Sequence, residues 1–335
     1  MRSVIIVHPT FDYVWSVAAD HLHALWREQG DVEFIRLHPD ENRILGEIVS
    51  DPGSVIRLIS LSVKVTSACL ALFTQLEEAF VQAKPYEATD PALLAAMSEA
   101  GVKVYQHKSE GFWGQSVSEF ALTLTLCGLR RIPQAYHRML TNLDAWYYPY
   151  DPVTKIGDQM TDDLRFANGT VEGKRVRIVG AGNIASRYAS FMHMLGADVA
   201  AWDPYAAEPC FHRAGARREF HLNRLVQDAD IFVPMVPLTD QTELLVTAEH
   251  IRALPQGCMV VLVTRAGICD MEALRERVLN DELSLAADVF DIEPVPLDDP
   301  LLGRHNVVHT PHLAGRTVGA NQRWGEMLLE QFMPR

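Results

Sequence analysis

Short apolar runs alternate with amphipathic stretches along most of this chain, and turn residues punctuate the joins. In the first third the runs Ser3 to Val7, Asp31 to Leu37, Ser54 to Leu61, Ala79 to Gln82 and Val102 to Gln106 read as strands. Between them the spacing predicts helices from Tyr13 to Glu28, stopped at Gly30, from Thr66 to Phe73, and from Pro91 to Ala100, ended by Gly101. That alternation predicts a small parallel α/β domain, and it has no glycine turn of the phosphate-binding kind. At Ser116 the pattern changes to one long apolar helix, SVSEFALTLTLCGLRRI, running to Pro133. An aromatic, turn-rich segment follows from Trp146 to Pro152 and continues irregularly to Asn168-Gly169. The alternation then resumes, with strands predicted at Val176–Val179, Ala197–Trp202, Ile231–Val236, Met259–Val263, Leu285–Phe290 and Val307–Thr310.

The densest signal lies between Gly173 and Pro204. The β-branched run Val176-Arg177-Ile178-Val179 meets Gly180-Ala181-Gly182-Asn183-Ile184-Ala185, and Tyr188, Phe191, Met192 and Leu195 then recur at helical spacing. Gly196 closes that helix, and the next strand ends at Asp203. Strand, glycine turn, helix, strand and acid is the order of a dinucleotide-binding βαβ unit. Gly180 allows the tight turn, Gly182 lets a pyrophosphate approach the helix N-terminus, and Ala185 is small enough for close helix–strand packing. Asp203 is placed to accept hydrogen bonds from the adenosine ribose. Its charge repels a 2′-phosphate, which favours NAD over NADP.

Composition narrows the possibilities. A length of 335 residues suits two domains. A net charge of −13 with no basic face argues against a nucleic-acid partner. Five scattered cysteines with no CxxC pair point to reduced thiols in a cytoplasmic protein. The pairs His21/His23 and His309/His312 have no partner cluster of Cys, Asp or Glu at ligand spacing, so no metal is expected. No apolar run reaches membrane-spanning length and no signal peptide is read at the N-terminus.

Polar and charged residues gather after the later strands, where ligands bind in open α/β sheets. Arg265, Glu293 and His312 stand out. A guanidinium can hold a carboxylate and polarise a carbonyl. A histidine can move a proton near neutral pH, and a neighbouring carboxylate orients it. Singly, each has an ordinary structural explanation. Together, after separate strands of one cofactor domain, they read as a catalytic set for hydride transfer to a 2-oxo acid.

On these residues the chain resembles the D-isomer-specific 2-hydroxyacid dehydrogenases. Val263-Thr264-Arg265-Ala266-Gly267-Ile268-Cys269-Asp270 is similar to the family segment with the catalytic arginine, Asp288-Val289-Phe290-Asp291-Ile292-Glu293-Pro294 to the glutamate segment, and Thr310-Pro311-His312-Leu313-Ala314-Gly315 to the histidine segment. The resemblance implies a Rossmann-type doubly wound cofactor domain, about 116–310, inserted into a smaller flavodoxin-like α/β substrate domain of about 1–115 and 311–335. It implies that Asp288 holds the nicotinamide carboxamide, and that Val236, Pro237 and Thr242, with Val263 and Thr264, line the cofactor alongside Gly180, Gly182, Asn183, Ile184 and Asp203. With the apolar content of the helix from Ser116 to Ile132, it also implies a homodimer formed there and through the aromatic segment.

Two departures bear on substrate. Ala266 stands where the family usually has glycine. In the small domain, Ala83-Lys84-Pro85-Tyr86-Glu87 occupies the place of a glycine-rich loop whose N–H groups hold the substrate carboxylate, and Pro85 has no N–H. Lys84 is then either a replacement cation, as in the related phosphite dehydrogenases, or a solvated lysine. Tyr86 and Trp113 are candidate substrate contacts. The expected reaction is NAD-linked interconversion of a small anionic 2-oxo and 2-hydroxy acid, of the glyoxylate or hydroxypyruvate type and D-specific. The alternatives are a sensor or corepressor-like NAD-binding protein without turnover, and an enzyme like phosphite dehydrogenase.

Overall fold

The computed structural model describes residues 2–85, 87, 89–107, 111–147, 151–153, 160 and 162–333. It resolves into two compact units, one of residues 1–112 with 316–335 and one of residues 113–315.

The first unit carries a five-stranded parallel sheet of β1 (Arg2–Val7), β2 (Val32–Arg36), β3 (Val55–Leu61), β4 (Glu78–Gln82) and β5 (Lys103–Val104), in the order β2-β1-β3-β4-β5. This is the flavodoxin-like strand order. Ile5 pairs with Phe34 on one side and Ile59 on the other, and Ile59 in turn pairs with Phe80. The first long helix begins at Ala18, after a separate turn of helix at Pro9–Asp12. It packs against Val318–Leu329, where Gly325 lies against Leu22. Arg57 and Glu78 pair across β3 and β4 in a fully buried position, with the Arg57 guanidinium over the Trp26 ring.

The second unit is built on seven parallel strands: β6 (Arg175–Val179), β7 (Asp198–Trp202), β8 (Arg217–Glu219), β9 (Ile231–Pro234), β10 (Met259–Leu262), β11 (Ser284–Ala287) and β12 (Val307–His309). Their order, β12-β11-β10-β9-β6-β7-β8, reverses between β6 and β9, as in a doubly wound dinucleotide-binding sheet. Both faces are covered, so the central strands β9, β10 and β11 are buried along their whole length and read as near-continuous apolar runs. Met259 and Val261 face a core that includes Val117, Ala121 and Leu124, whereas Val260 and Leu262 face one that includes Ile251, Leu274 and Val278.

The helix predicted from Ser116 runs from Gly114 to Arg130. It ends because Arg131 takes a left-handed conformation, φ 50°, and a second helix starts at Ile132 and continues to Thr141. Its buried residues, Val117, Ala121, Leu124 and Leu129, pack on its own unit, and no residue of Ile132–Thr141 is buried. Among the described residues no helix is long and apolar enough to cross a membrane.

A buried cation lies inside the second core. Arg177, in the centre of β6, is 1% exposed. Its guanidinium donates at 2.7 Å to both Asp228 oxygens, and at 2.8 Å to the Asp198 carboxylate and carbonyl. The hydrogen bonds from Arg177 outweigh burial and hold the Asp228 carboxyl below the usual carboxylate range. A carboxyl depressed on folding adds stability above about pH 4 that is lost as pH falls through its folded value. Arg177→Ala should therefore lower stability by about 2–4 kcal/mol at neutral pH, measured by urea unfolding. The loss should shrink in acid, because the pair it removes is already weakened there.

Candidate active site

Gly180 leaves β6 at φ 110°, and its N–H donates to the carbonyl of Trp202 at 2.7 Å. A Cβ here would stand 2.8 Å from the carbonyl oxygen of Met235, so the turn can be made only by glycine. Gly182 caps the helix Asn183–Met194 without a side-chain hydrogen bond, and a Cβ on it would meet nothing within 4 Å. Open space therefore lies beside Gly182 at the start of this helix. Ala185 is buried, Ile184 is half-buried, and the Asn183 side chain accepts from Arg187. The arrangement fits a pyrophosphate.

Asp203, just beyond β7, does more than the sequence predicts. Its Oδ2 accepts from the Ala181 N–H inside the glycine turn at 2.9 Å, and Oδ1 accepts from Tyr205 and Ala206 at 2.9 and 3.0 Å. The acid pins the loop after β7 to the turn after β6.

The loops after β9 and β10 begin close by. Thr242 donates to the carbonyl of Pro237 and accepts from the Thr239 N–H, folding the Val236–Thr242 loop on itself. Val263 and Thr264 are buried, with the Thr264 hydroxyl donating to Pro234 at 3.4 Å. Arg265 is exposed and donates to the Thr264 carbonyl at 2.7 Å.

Strand β11 ends at Ala287, so Asp288 opens the following loop and does not lie within the strand as expected. Its carboxylate is completely buried. Oδ1 accepts from the Thr310 hydroxyl at 2.6 Å and the Leu313 N–H at 2.9 Å, and Oδ2 accepts from the Ala314 N–H at 2.8 Å. The loop after β12 is thus wrapped round one buried carboxylate, and its apex is His312, at φ 56°. His312 Nδ1 lies 2.8 Å from Glu293 Oε2, while Glu293 Oε1 accepts from the Phe290 N–H at 2.9 Å. Burial pushes the Glu293 carboxyl up. The hydrogen bonds from His312 and Phe290, with the charges of His312 and Arg265, outweigh it and leave the group below its usual range. Glu293 is therefore an ionised partner for the imidazole at neutral pH.

The NAD binding domain model of the D-isomer specific 2-hydroxyacid dehydrogenases matches residues 122–314. This chain belongs to the D-isomer specific 2-hydroxyacid dehydrogenase family. A glyoxylate reductase of Thermofilum pendens is 31% identical over 232 residues, 67% of this chain and 62% of that protein. A D-3-phosphoglycerate dehydrogenase of Methanocaldococcus jannaschii is 30% identical over 218 residues, 65% of this chain but only 38% of its own length. The match thus spans less than two thirds of either relative. In fold, the chain is similar to a phosphoglycerate oxidoreductase from Rhizobium etli, with a TM-score of 0.75 over 100% of this chain and 97% of that one at 19% identity.

Within this member of the family, the substrate candidates are placed differently from one another. Trp113 packs beside the His312 loop, since a Cβ on Gly315 would lie 3.0 Å from its indole nitrogen. Lys84 is exposed and paired with Glu87 at 2.9 Å. Tyr86 lies outside the described residues. Gly180→Ala should raise the dissociation constant of NADH by at least about tenfold in a fluorescence titration, because strain and contact at this turn cost on the order of 1–3 kcal/mol.

Proposed function

We propose that the chain reduces a small 2-oxo acid to its D-2-hydroxy acid, with glyoxylate and hydroxypyruvate as the favoured substrates. The observation that carries this reading is the 2.8 Å contact between His312 and an ionised Glu293. Family membership supports it, as does the name of the Thermofilum relative. NADH bound at the Gly180–Gly182 turn would supply the hydride.

The remaining steps belong to side chains of the chain. Arg265 binds the substrate carboxylate and draws electron density toward the carbonyl oxygen. Protonated His312 gives its proton to that oxygen as the alkoxide forms, and Glu293 stabilises the imidazolium beforehand and fixes its ring. Asp288 keeps His312 in place through the hydrogen bonds to Thr310, Leu313 and Ala314. Asp203 serves the ribose and repels a 2′-phosphate, and Trp113 forms a wall of the substrate site. The first unit acts as the substrate domain.

We further propose a cytoplasmic homodimer. On the helix Ile132–Thr141, Ile132, Tyr136 and Leu140 lie one above another and are 50–64% exposed, and Leu143, Trp146 and Tyr147 extend the apolar surface. The self-association surface therefore starts after Arg131. The preceding helix uses its apolar face within its own unit. Leu140→Glu with Leu143→Glu should give a monomer in sedimentation velocity at micromolar concentration, and a monomeric unmodified protein would remove the proposal.

The reaction is tested with purified protein, NADH and a panel of glyoxylate, hydroxypyruvate, pyruvate and 3-phosphohydroxypyruvate. His312→Ala should lower kcat by about 10²–10⁴-fold, and Glu293→Gln by about 10–10²-fold, with NADH affinity unchanged in both. Turnover that survives His312→Ala intact would rule out this assignment of the proton donor.

A further inference from the structure

Glu293 sits on a segment with almost nothing to hold it. From Asp291 to Pro300 every residue is exposed except Val295 and Asp299, which are partly buried, and Leu297 is 96% exposed. A segment with so little packing does not hold a carboxylate at hydrogen-bond distance from an imidazole by burial alone. It is held at both ends by one side chain. Arg275, on the helix Met271–Leu279, directs Nε to the two Asp291 oxygens at 3.2 and 3.3 Å and Nη2 to Oδ1 at 3.1 Å. The same guanidinium gives Nη1 and Nη2 to the two oxygens of Asp299 at 3.1 and 2.8 Å. The Arg275 side chain is 17% exposed and that of Asp299 only 8%, so solvent screens this cluster little.

We propose that Arg275 is a positioning residue for Glu293, closing the ends of the 291–299 loop so that its carboxylate meets His312. The chemistry requires arginine. A planar fork with donors along two edges can bind two carboxylates at once, which a single ammonium cannot do with the same geometry. Asp299 is fixed further by the N–H of Leu301, where the chain re-enters the core, so the guanidinium ties the loop to a rigid point. Arg275 touches neither His312 nor Arg265 among the hydrogen bonds of the site and acts only through the loop. The inference rests on reading Glu293 and His312 as the proton-transfer pair.

The test uses the full chain carrying Arg275→Met together with Asp299→Asn, which avoids leaving a buried carboxylate unpartnered. Hydrogen exchange of peptides spanning 289–302, which contain the Phe290 amide bound to Glu293, should quicken by about tenfold or more, with peptides of β6 and Asn183–Met194 unchanged. In the oxo-acid assay kcat should fall about tenfold, with KM and NADH affinity nearly constant. Its pH–rate profile should move in the same direction as that of Glu293→Gln. Arg275→Lys should recover only part of kcat. Unchanged exchange at 289–302, equal acceleration throughout the second unit, or an unmoved pH profile in an active enzyme would each overturn the proposal. If the unmodified protein turns over no oxo acid, the functional reading fails by itself. The exchange measurement then decides alone whether Arg275 holds the loop.

Discussion

All seven strands of the larger sheet run in one direction, and their order reverses between β6 and β9. Everything chemically distinctive in the second unit follows from that constraint. Parallel strands deliver every strand-to-helix loop to the same edge, and at the reversal the loops after β6 and β9 turn away from each other and leave a crevice. The turn after β6 must then pass the end of β9 at close range, which is why a methyl group at Gly180 would strike Met235. Arg265, Asp288 and His312 follow β10, β11 and β12, so three segments far apart in sequence arrive side by side.

In this unit the buried charges are satisfied by neighbouring segments, and other charged groups stay open to solvent. Asp288 is wholly covered and satisfied by donors from the next loop. Arg177 plays a comparable part deeper in the sheet, tying β6 to β7 and to the approach to β9. Arg265, Glu293 and His312 all remain open to solvent. Such a division suits a site whose working groups need a partner that changes during the reaction.

What was legible in the sequence was local. The strand, glycines, helix and acid from Val176 to Asp203 sit in one continuous stretch, although the residue that excludes a side chain at Gly180, Met235, lies beyond it. The strands of the doubly wound sheet showed as apolar runs because both faces are covered. Strand β8 did not, since Arg217–Glu219 is three charged residues at the sheet edge with no periodicity. The helix break at Arg131 was hidden because nothing in Gly-Leu-Arg-Arg-Ile marks a left-handed residue. The pairings of Asp288 with 310–314 and of Arg275 with Asp291 and Asp299 span 16 to 26 residues. Only the folded chain brings those partners into view. Resemblance identified Asp288 by a ligand contact, and the protein contacts it makes were outside what that resemblance carried.

The double engagement of Asp203 has a bearing on redesign. An acid at the end of the second strand is the obvious place to begin when altering which nicotinamide cofactor such a protein accepts. Here the same carboxylate closes a small ring of backbone around the glycine turn, receiving N–H groups from Ala181, Tyr205 and Ala206. If Asp203 also selects the cofactor as proposed, selectivity and the shape of the glycine turn are one trait at this position. An exchange for a neutral or basic residue would disturb the turn before it could admit a different cofactor, and any successful exchange must first supply new acceptors for those three amides.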